Sequence, residues 1–250
     1  MNTILDQIVA DTRARLLAMN EHNAPKSLSP PRRSFRRALA SPEISVIAEV
    51  KAASPSAGTI VENPPVEHIA LEYSVGGAAA VSVVTESAHF HGSRDWLQRA
   101  SEASGLPVLM KDFIVDRRQV AEDADAVLLI VAILTDRELR ELIQFVEDSG
   151  RDALVEVHDE AELLRALDAG ASIVGVNNRD LHTFAVNLET SARLARHIPR
   201  DVIGVSESGI RTREDVLRMQ EYGFRGVLVG EALLRASDRT AAVGALLEDA

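Results

Sequence analysis

Two charged side chains near the chain's first apolar run set the chemical problem. In Val46-Ile-Ala-Glu-Val-Lys-Ala-Ala-Ser-Pro-Ser-Ala-Gly58 a carboxylate, Glu49, and an ammonium, Lys51, stand two positions apart. On a strand that spacing puts both on one face. The β-branched Val46, Ile47 and Val50 give the run the character of a buried strand, and Ser54-Pro55-Ser56-Ala57-Gly58 cannot continue it. A structural ion pair at a strand end is the plain alternative, since charges are rarely buried unless paired or functional. Recurrence decides against it. Apolar runs end in polar groups again at Glu86, at Lys111-Asp112, at Glu156, at Asn177, at Ser206-Glu207-Ser208-Gly209 and at Gly230-Glu231.

Lys111 and Glu156 are the acid–base candidates. Lys111 follows Val108-Leu-Met and precedes Phe113, so its ammonium emerges beside apolar surface, a setting that suits a proton donor to a developing oxyanion. Glu156 alternates with Val155 and Val157 and points to the face opposite them. Asn177 offers an uncharged donor and acceptor to orient a hydroxyl or carboxylate. Ser208-Gly209 and Gly230-Glu231 leave backbone N–H groups unobstructed, and residues 231–235 fit a short helix aimed at the same place. Phe90 and Phe113 either stack on an aromatic ring or fill space. His89 and His91 form an H-x-H that would need a third ligand, and no metal is expected.

Elements that could position these groups follow from periodicity. Strand patterns fall at 45–51, 79–85, 107–111, 126–131, 153–157, 172–177, 202–206 and 226–229. Helical patterns lie near 64–75, 94–104, 116–122, 135–149, 159–169, 187–197, 211–222 and 237–248. Eight strands, each followed by a helix, predict a single (β/α)8 TIM barrel, whose chemistry gathers where strands end. Loops seven and eight of such a barrel are a usual phosphate cradle, so a phosphorylated small molecule is the expected substrate. Residues 1–44 read as a helical extension, with a proline-bearing linker at 23–31, that has too little apolar surface to fold alone.

Composition narrows the classes. A net charge of −11 with no long basic run argues against nucleic-acid binding, and no apolar run approaches the length of a membrane span. With no cysteine there is neither a disulfide nor a thiolate nucleophile. No dinucleotide-binding or Walker motif occurs, so no cofactor is expected. A cytoplasmic monomer is the expectation.

Together the motifs resemble a known family. Ile47-Ala-Glu-Val-Lys-Ala-Ala-Ser-Pro-Ser-Ala-Gly58, Leu109-Met-Lys-Asp-Phe-Ile-Val115, Leu154-Val-Glu-Val157, Gly175-Val-Asn-Asn-Arg-Asp-Leu181, Ser206-Glu-Ser-Gly-Ile210 and Val229-Gly-Glu231 are similar, in order and at matching intervals, to the motifs of indole-3-glycerol phosphate synthases. The resemblance implies closure of the ring of 1-(2-carboxyphenylamino)-1-deoxyribulose 5-phosphate with loss of carbon dioxide and water. It implies Lys111 as general acid, Lys51 at the anthranilate carboxylate and in an acid role, and Glu156 in the proton transfers of dehydration. Glu49, Asn177 and Ser208 would bind and orient substrate. Ser54 and the backbone at Gly209, Gly230 and Glu231 would hold phosphate, with Phe90, Phe113, Arg179 and Glu207 also in the site. The N-terminal segment is similar to the family's extra helices, expected to cover the barrel mouth.

Three departures stand out. Ala52 and Ala57 occupy positions that are often basic in the family, which weakens the positive field expected at the mouth. The third helix is about one turn short. Two other readings remain open at this point: another phosphate-binding barrel such as a ribulose-phosphate isomerase, and an idle barrel that senses a phosphometabolite. The set Glu49, Lys51, Lys111 and Glu156 argues against both.

Overall fold

Alternation along each strand divides the interior into two apolar layers. In the computed structural model, which describes residues 3–18, 28, 31–55, 58–180 and 183–248, eight parallel strands close into a barrel. They are β1 (Ser45–Val50), β2 (Ala80–Val84), β3 (Val108–Lys111), β4 (Ala126–Ile130), β5 (Asp152–Val157), β6 (Ile173–Asn177), β7 (Ile203–Glu207) and β8 (Gly226–Val229). Each pairs with its sequence neighbours, and β1 closes the ring against β8 and β2. Residues such as Val46, Ala48 and Val50 pack outward under the helices. Their neighbours Ile47, Leu109, Leu154, Ile173, Val205 and Leu228 fill the lumen. Two positions further along, the same inward face carries Glu49, Lys111, Glu156, Gly175, Glu207 and Gly230. The lumen is therefore apolar below and charged above.

The outer ring is α3 (Val66–Val75), α4 (Asp95–Ser104), α5 (Asp136–Asp148), α6 (Glu160–Asp168), α7 (Glu189–Ala195), α8 (Arg213–Glu221) and α10 (Arg239–Leu247). The short α9 (Glu231–Leu234) precedes the last of these. Caps set several starts: Thr135 and Thr212 each accept from the N3 backbone N–H in reciprocal capping boxes, and Asp159 accepts from the Glu162 N–H. The expected helix at 116–122 is a single 3-10 turn, Arg117–Gln119, fixed by its own capping box between Asp116 and Gln119. The rest of the connection from Lys111 to Ala126 is irregular. A two-stranded hairpin, Ala53–Ser54 with Gly58–Thr59, extends the loop after β1.

The N-terminal segment is split between the two ends of the barrel. Helix α1 (Ile4–Ala18) lies at the carboxyl-end mouth, tied there by Arg15 to Glu86 at 3.0 Å, by Asp11 to His89 at 3.0 Å, and by the Leu16 carbonyl, which accepts from Arg118. Helix α2 (Phe35–Ala38) sits at the opposite end. Its Phe35 and the following Leu39 are fully buried against the lumen residues. Backbone N–H groups of Arg33 and Arg36 donate to Asp125 and Asp152, beside the starts of β4 and β5. Of the described residues within 1–44, expected to cover the mouth, α1 lies there while α2 plugs the bottom. Most of the expected 23–31 linker lies outside the described residues, as do Met19, Ser56, Ala57 and Leu181.

Candidate active site

Lys51 and Glu49 face the mouth as their spacing requires, and Lys51 Nζ lies 2.7 Å from Glu49 Oε1. Burial pushes the Glu49 carboxyl up, but Lys51 and Lys111 overrule it and hold the group below its ordinary value. Gly230 makes room for this pair, since a Cβ there would stand 2.5 Å from Glu49 Oε1 and 3.0 Å from Lys51 Nζ. The glycine on β8 serves the charges on β1.

Across the lumen, Lys111 Nζ sits 3.6 Å from Glu156 Oε2 and 3.6 Å from Glu207 Oε2. The two carboxyl groups are about 98% buried, at 2% side-chain exposure each, and are neighbours of one another. Burial and the adjacent Glu156 charge push Glu207 up to about 8, against the pull of Lys111. Glu156 goes the other way: burial raises it, but Lys111 and His158 outweigh burial and keep it ionised. Neither Glu207 oxygen nor Glu156 Oε2 receives a hydrogen bond within donor reach. Two such acceptors side by side are satisfied by one proton held between them. The cluster at neutral pH is therefore a lysinium, one carboxylate and one carboxylic acid. Burial lowers the lysine's proton affinity, and the surrounding carboxyl groups more than restore it, leaving Lys111 above its usual value.

These groups open on one cavity of about 190 Å³. Of the residues expected in the site, Glu49, Lys51, Ser54, Phe90, Lys111 and Phe113 line it. So do Glu156, Asn177, Arg179, Glu207, Ser208, Gly230 and Glu231. Gly209, at φ +91°, is not among the lining residues, and a Cβ there would meet Val186 and Leu188. The Phe90 and Phe113 rings lie 5.9 Å apart, tilted by 42°, on one side of the opening, and Ile4, Leu5 and Ile8 of α1 add an apolar wall. Ala52 is buried in the outer apolar layer rather than on the cavity, so the neutral residue there leaves the lining unchanged. His89 pairs with Asp11, and among the described residues no group of three histidine or acidic side chains could hold a metal ion.

Three contributors escape a reading of strand ends. Asn178 is buried, and its amide donates toward Ser206 Oγ at 3.0 Å and the Glu207 and Ser208 carbonyls at 3.0 and 3.1 Å. Its oxygen accepts from the Ser191 N–H and hydroxyl at 3.0 and 2.9 Å. This clamp holds Ser208 at φ +64°, a left-handed conformation that costs a non-glycine residue free energy. Phe184 also lines the cavity. The third is His158, which touches Glu156 from outside the cavity. A second asparagine in a motif, a loop aromatic and a residue one place past a strand carry no periodic signal.

A closed barrel whose mouth sets a partly exposed lysinium beside a buried, proton-sharing carboxyl couple is, by fold and site, an acid–base enzyme of the (β/α)8 class. The sequence model of indole-3-glycerol phosphate synthase matches residues 4–246, and the chain belongs to that family. An indole-3-glycerol phosphate synthase of Chlorobaculum tepidum is 48% identical over 215 residues, covering 84% of each chain. One of Koribacter versatilis is 43% identical over 259 residues, covering 99% of this chain and 100% of the relative. Among solved structures, thiamine phosphate pyrophosphorylase from Pyrococcus furiosus superposes with a TM-score of 0.60 at 20% identity, covering 81% of this chain and 93% of that one. At that identity the likeness is one of fold.

Proposed function

We propose that the protein converts 1-(2-carboxyphenylamino)-1-deoxyribulose 5-phosphate to indole-3-glycerol phosphate, a carboxy-lyase step of tryptophan biosynthesis, as a cytoplasmic monomer. The observation that carries the reading is the position of Lys111, 3.6 Å from each of two buried carboxyl groups and open to a partly apolar cavity. Lys111 donates its proton to the substrate carbonyl oxygen as the ring carbon attacks, so charge never builds up on that oxygen. Lys51, braced by Glu49, receives the anthranilate carboxylate until it leaves as carbon dioxide. Glu156 withdraws the proton from the sugar carbon in the dehydration that completes the indole. Phe90, Phe113 and α1 cover the aromatic ring and exclude water. Asn177, Ser208 and Arg179 orient the chain of hydroxyls, and Ser54 with the backbone at Gly230 and Glu231 meets the phosphate.

The test is direct. Supplied with the carboxyphenylamino-deoxyribulose phosphate, the purified protein should generate indole fluorescence with multiple turnovers. Binding of that substrate without any indole product would overturn the assignment and favour a sensor.

A further inference from the structure

Two carboxyl groups that share one proton must settle which of them holds it, and the proposed chemistry needs it on Glu207. Glu156 can withdraw the proton from the sugar carbon only as a carboxylate. Lys111 does not make the choice, since its Nζ stands 3.6 Å from Glu156 Oε2 and 3.6 Å from Glu207 Oε2. The preference has to come from a charge that meets one carboxyl and not the other.

His158 is placed to be that charge. It directly follows β5, and its Nε2 lies 3.4 Å from Glu156 Oε1. Glu156 therefore has a basic group at each oxygen. Among the described residues Glu207 pairs with Lys111 alone, and its Oε1 occupies the space that Gly175 leaves open. Lys111 lines the cavity and His158 does not, so the ring lies outside the substrate's space.

The ring is built to keep its protons. Glu162 Oε2, in the first turn of α6, accepts the His158 backbone N–H at 2.8 Å and lies 3.0 Å from Nδ1. An oxygen already engaged by a backbone donor leaves Nδ1 as the donor in that second contact. Nε2 is closed to solvent, and in a neutral ring its lone pair would face the Glu156 carboxylate at 3.4 Å. Two such acceptors repel, so Nε2 carries a hydrogen as well and the ring is an imidazolium. The charged groups that face it are Glu162 on α6, Glu156 on β5 and Glu207 on β7. Burial disfavours the imidazolium, and these three acids reverse that. One proton is held by Glu162 and the other is sealed against Glu156, so the ring contributes charge and carries nothing.

Resting on the lyase reading, we infer that His158 is a positioning residue, a fixed positive charge that keeps the shared proton on Glu207 and leaves Glu156 as the base. The other groups around the pair act in the same direction. Burial pushes both carboxyls up, and their surroundings then separate them. Lys111, His158 and a hydrogen bond from Asn177 bring Glu156 below its ordinary value. Glu156 itself and Glu49 on β1 hold Glu207 at about 8 against Lys111.

The experiment follows the carboxyl groups of the substrate-free protein by carbon-13 NMR with labelled glutamate, Glu156→Gln and Glu207→Gln serving to assign the two signals. His158→Gln removes the charge and keeps a polar group, and should raise the Glu156 titration by about 1–3 pH units. The acid limb of kcat should rise with it. His158→Lys returns a cation and should reverse most of that rise. A Glu156 titration unmoved in His158→Gln, or moved equally in His158→Lys, would overturn the proposal and leave the histidine a packing residue. Nitrogen-15 NMR of the wild-type ring needs no variant: both nitrogens should be protonated at neutral pH, and a singly protonated ring would also overturn it. If the titrations behave as expected but the wild type forms no indole product, the lyase reading fails instead.

Discussion

Gly175 on β6 has no side chain because the Glu207 carboxyl of β7 occupies the space. A methyl group at 175 would overlap Glu207 Oε1 and press on Leu154 Cδ1, 3.3 Å away. The register makes the encounter unavoidable, since Gly175 pairs with Val205, and Glu207 leans inward from the next inward position on β7. The glycine's purpose is to seat the proton-sharing pair beside Lys111.

Gly175→Ala should therefore injure catalysis more than folding. Overpacking of this kind costs typically about 1–3 kcal/mol of stability. Displacing Glu207 by even an ångström should lower kcat/KM by about 10²-fold. Denaturant melts alongside kinetics test this, and a stable variant with wild-type kcat/KM would show that Glu207 tolerates the shift.

Glu207 sets a distinctive pH response. Its carboxyl titrates near 8 in the folded protein against an ordinary 4.5, because burial and Glu156 oppose its ionisation. A group whose folded pKa is raised binds its proton more tightly when folded. Its stabilising contribution is complete at acid pH and is lost as pH climbs from about 4.5 to about 8. Glu49 and Glu156, held below 4.5, act in the opposite sense and only in more acid solution. Above pH 8 a second negative charge beside Lys111 should tighten the lysine's hold on its proton, so kcat/KM should decline. Glu207→Gln should remove both that decline and the loss of stability across the window. A basic limb that survives the substitution assigns the titration to another group.

The two halves of the N-terminal segment should fail differently when removed. Deleting residues 1–30 strips the apolar wall of Ile4, Leu5 and Ile8 but keeps α2. KM should rise on the order of tenfold, the equivalent of 1.4 kcal/mol, with cooperative unfolding retained. Deleting residues 1–44 also removes Phe35 and Leu39 from the lumen. Truncating a single buried Phe or Leu costs about 2–5 kcal/mol, a large part of a typical domain's 5–15 kcal/mol. That variant should not fold. Circular dichroism melts of the two truncations decide the matter.

The barrel was legible because its strands alternate so regularly that Ile47, Glu49 and Lys51 declare one face without help. Strand ends then exposed the lysines and acids on a common rim. What escaped was set by contacts rather than by period. Phe35-Arg-Arg-Ala38 is too short and too charged to announce a plug, and only the four-residue step from Phe35 to Leu39 hints at it. Gly175 reads as an ordinary strand glycine until Glu207 is seen against it. Gly209 also has a packing reason to lack a side chain, since a Cβ there would meet Val186 and Leu188. Ala52 seemed to subtract charge from the mouth, yet its position lies in the packed outer layer.

The central claim, that Lys111 is the proton donor of ring closure, is tested most directly by single-turnover fluorescence with enzyme in excess over the carboxyphenylamino-deoxyribulose phosphate. Wild type and Lys111→Ala are compared at saturating enzyme, where only the bound-state rate is read. Loss of a positioned general acid should slow indole formation by about 10²–10⁴-fold while the substrate remains bound. A Lys111→Ala rate within about threefold of wild type, far short of that range, would contradict the account and move the acid to another residue.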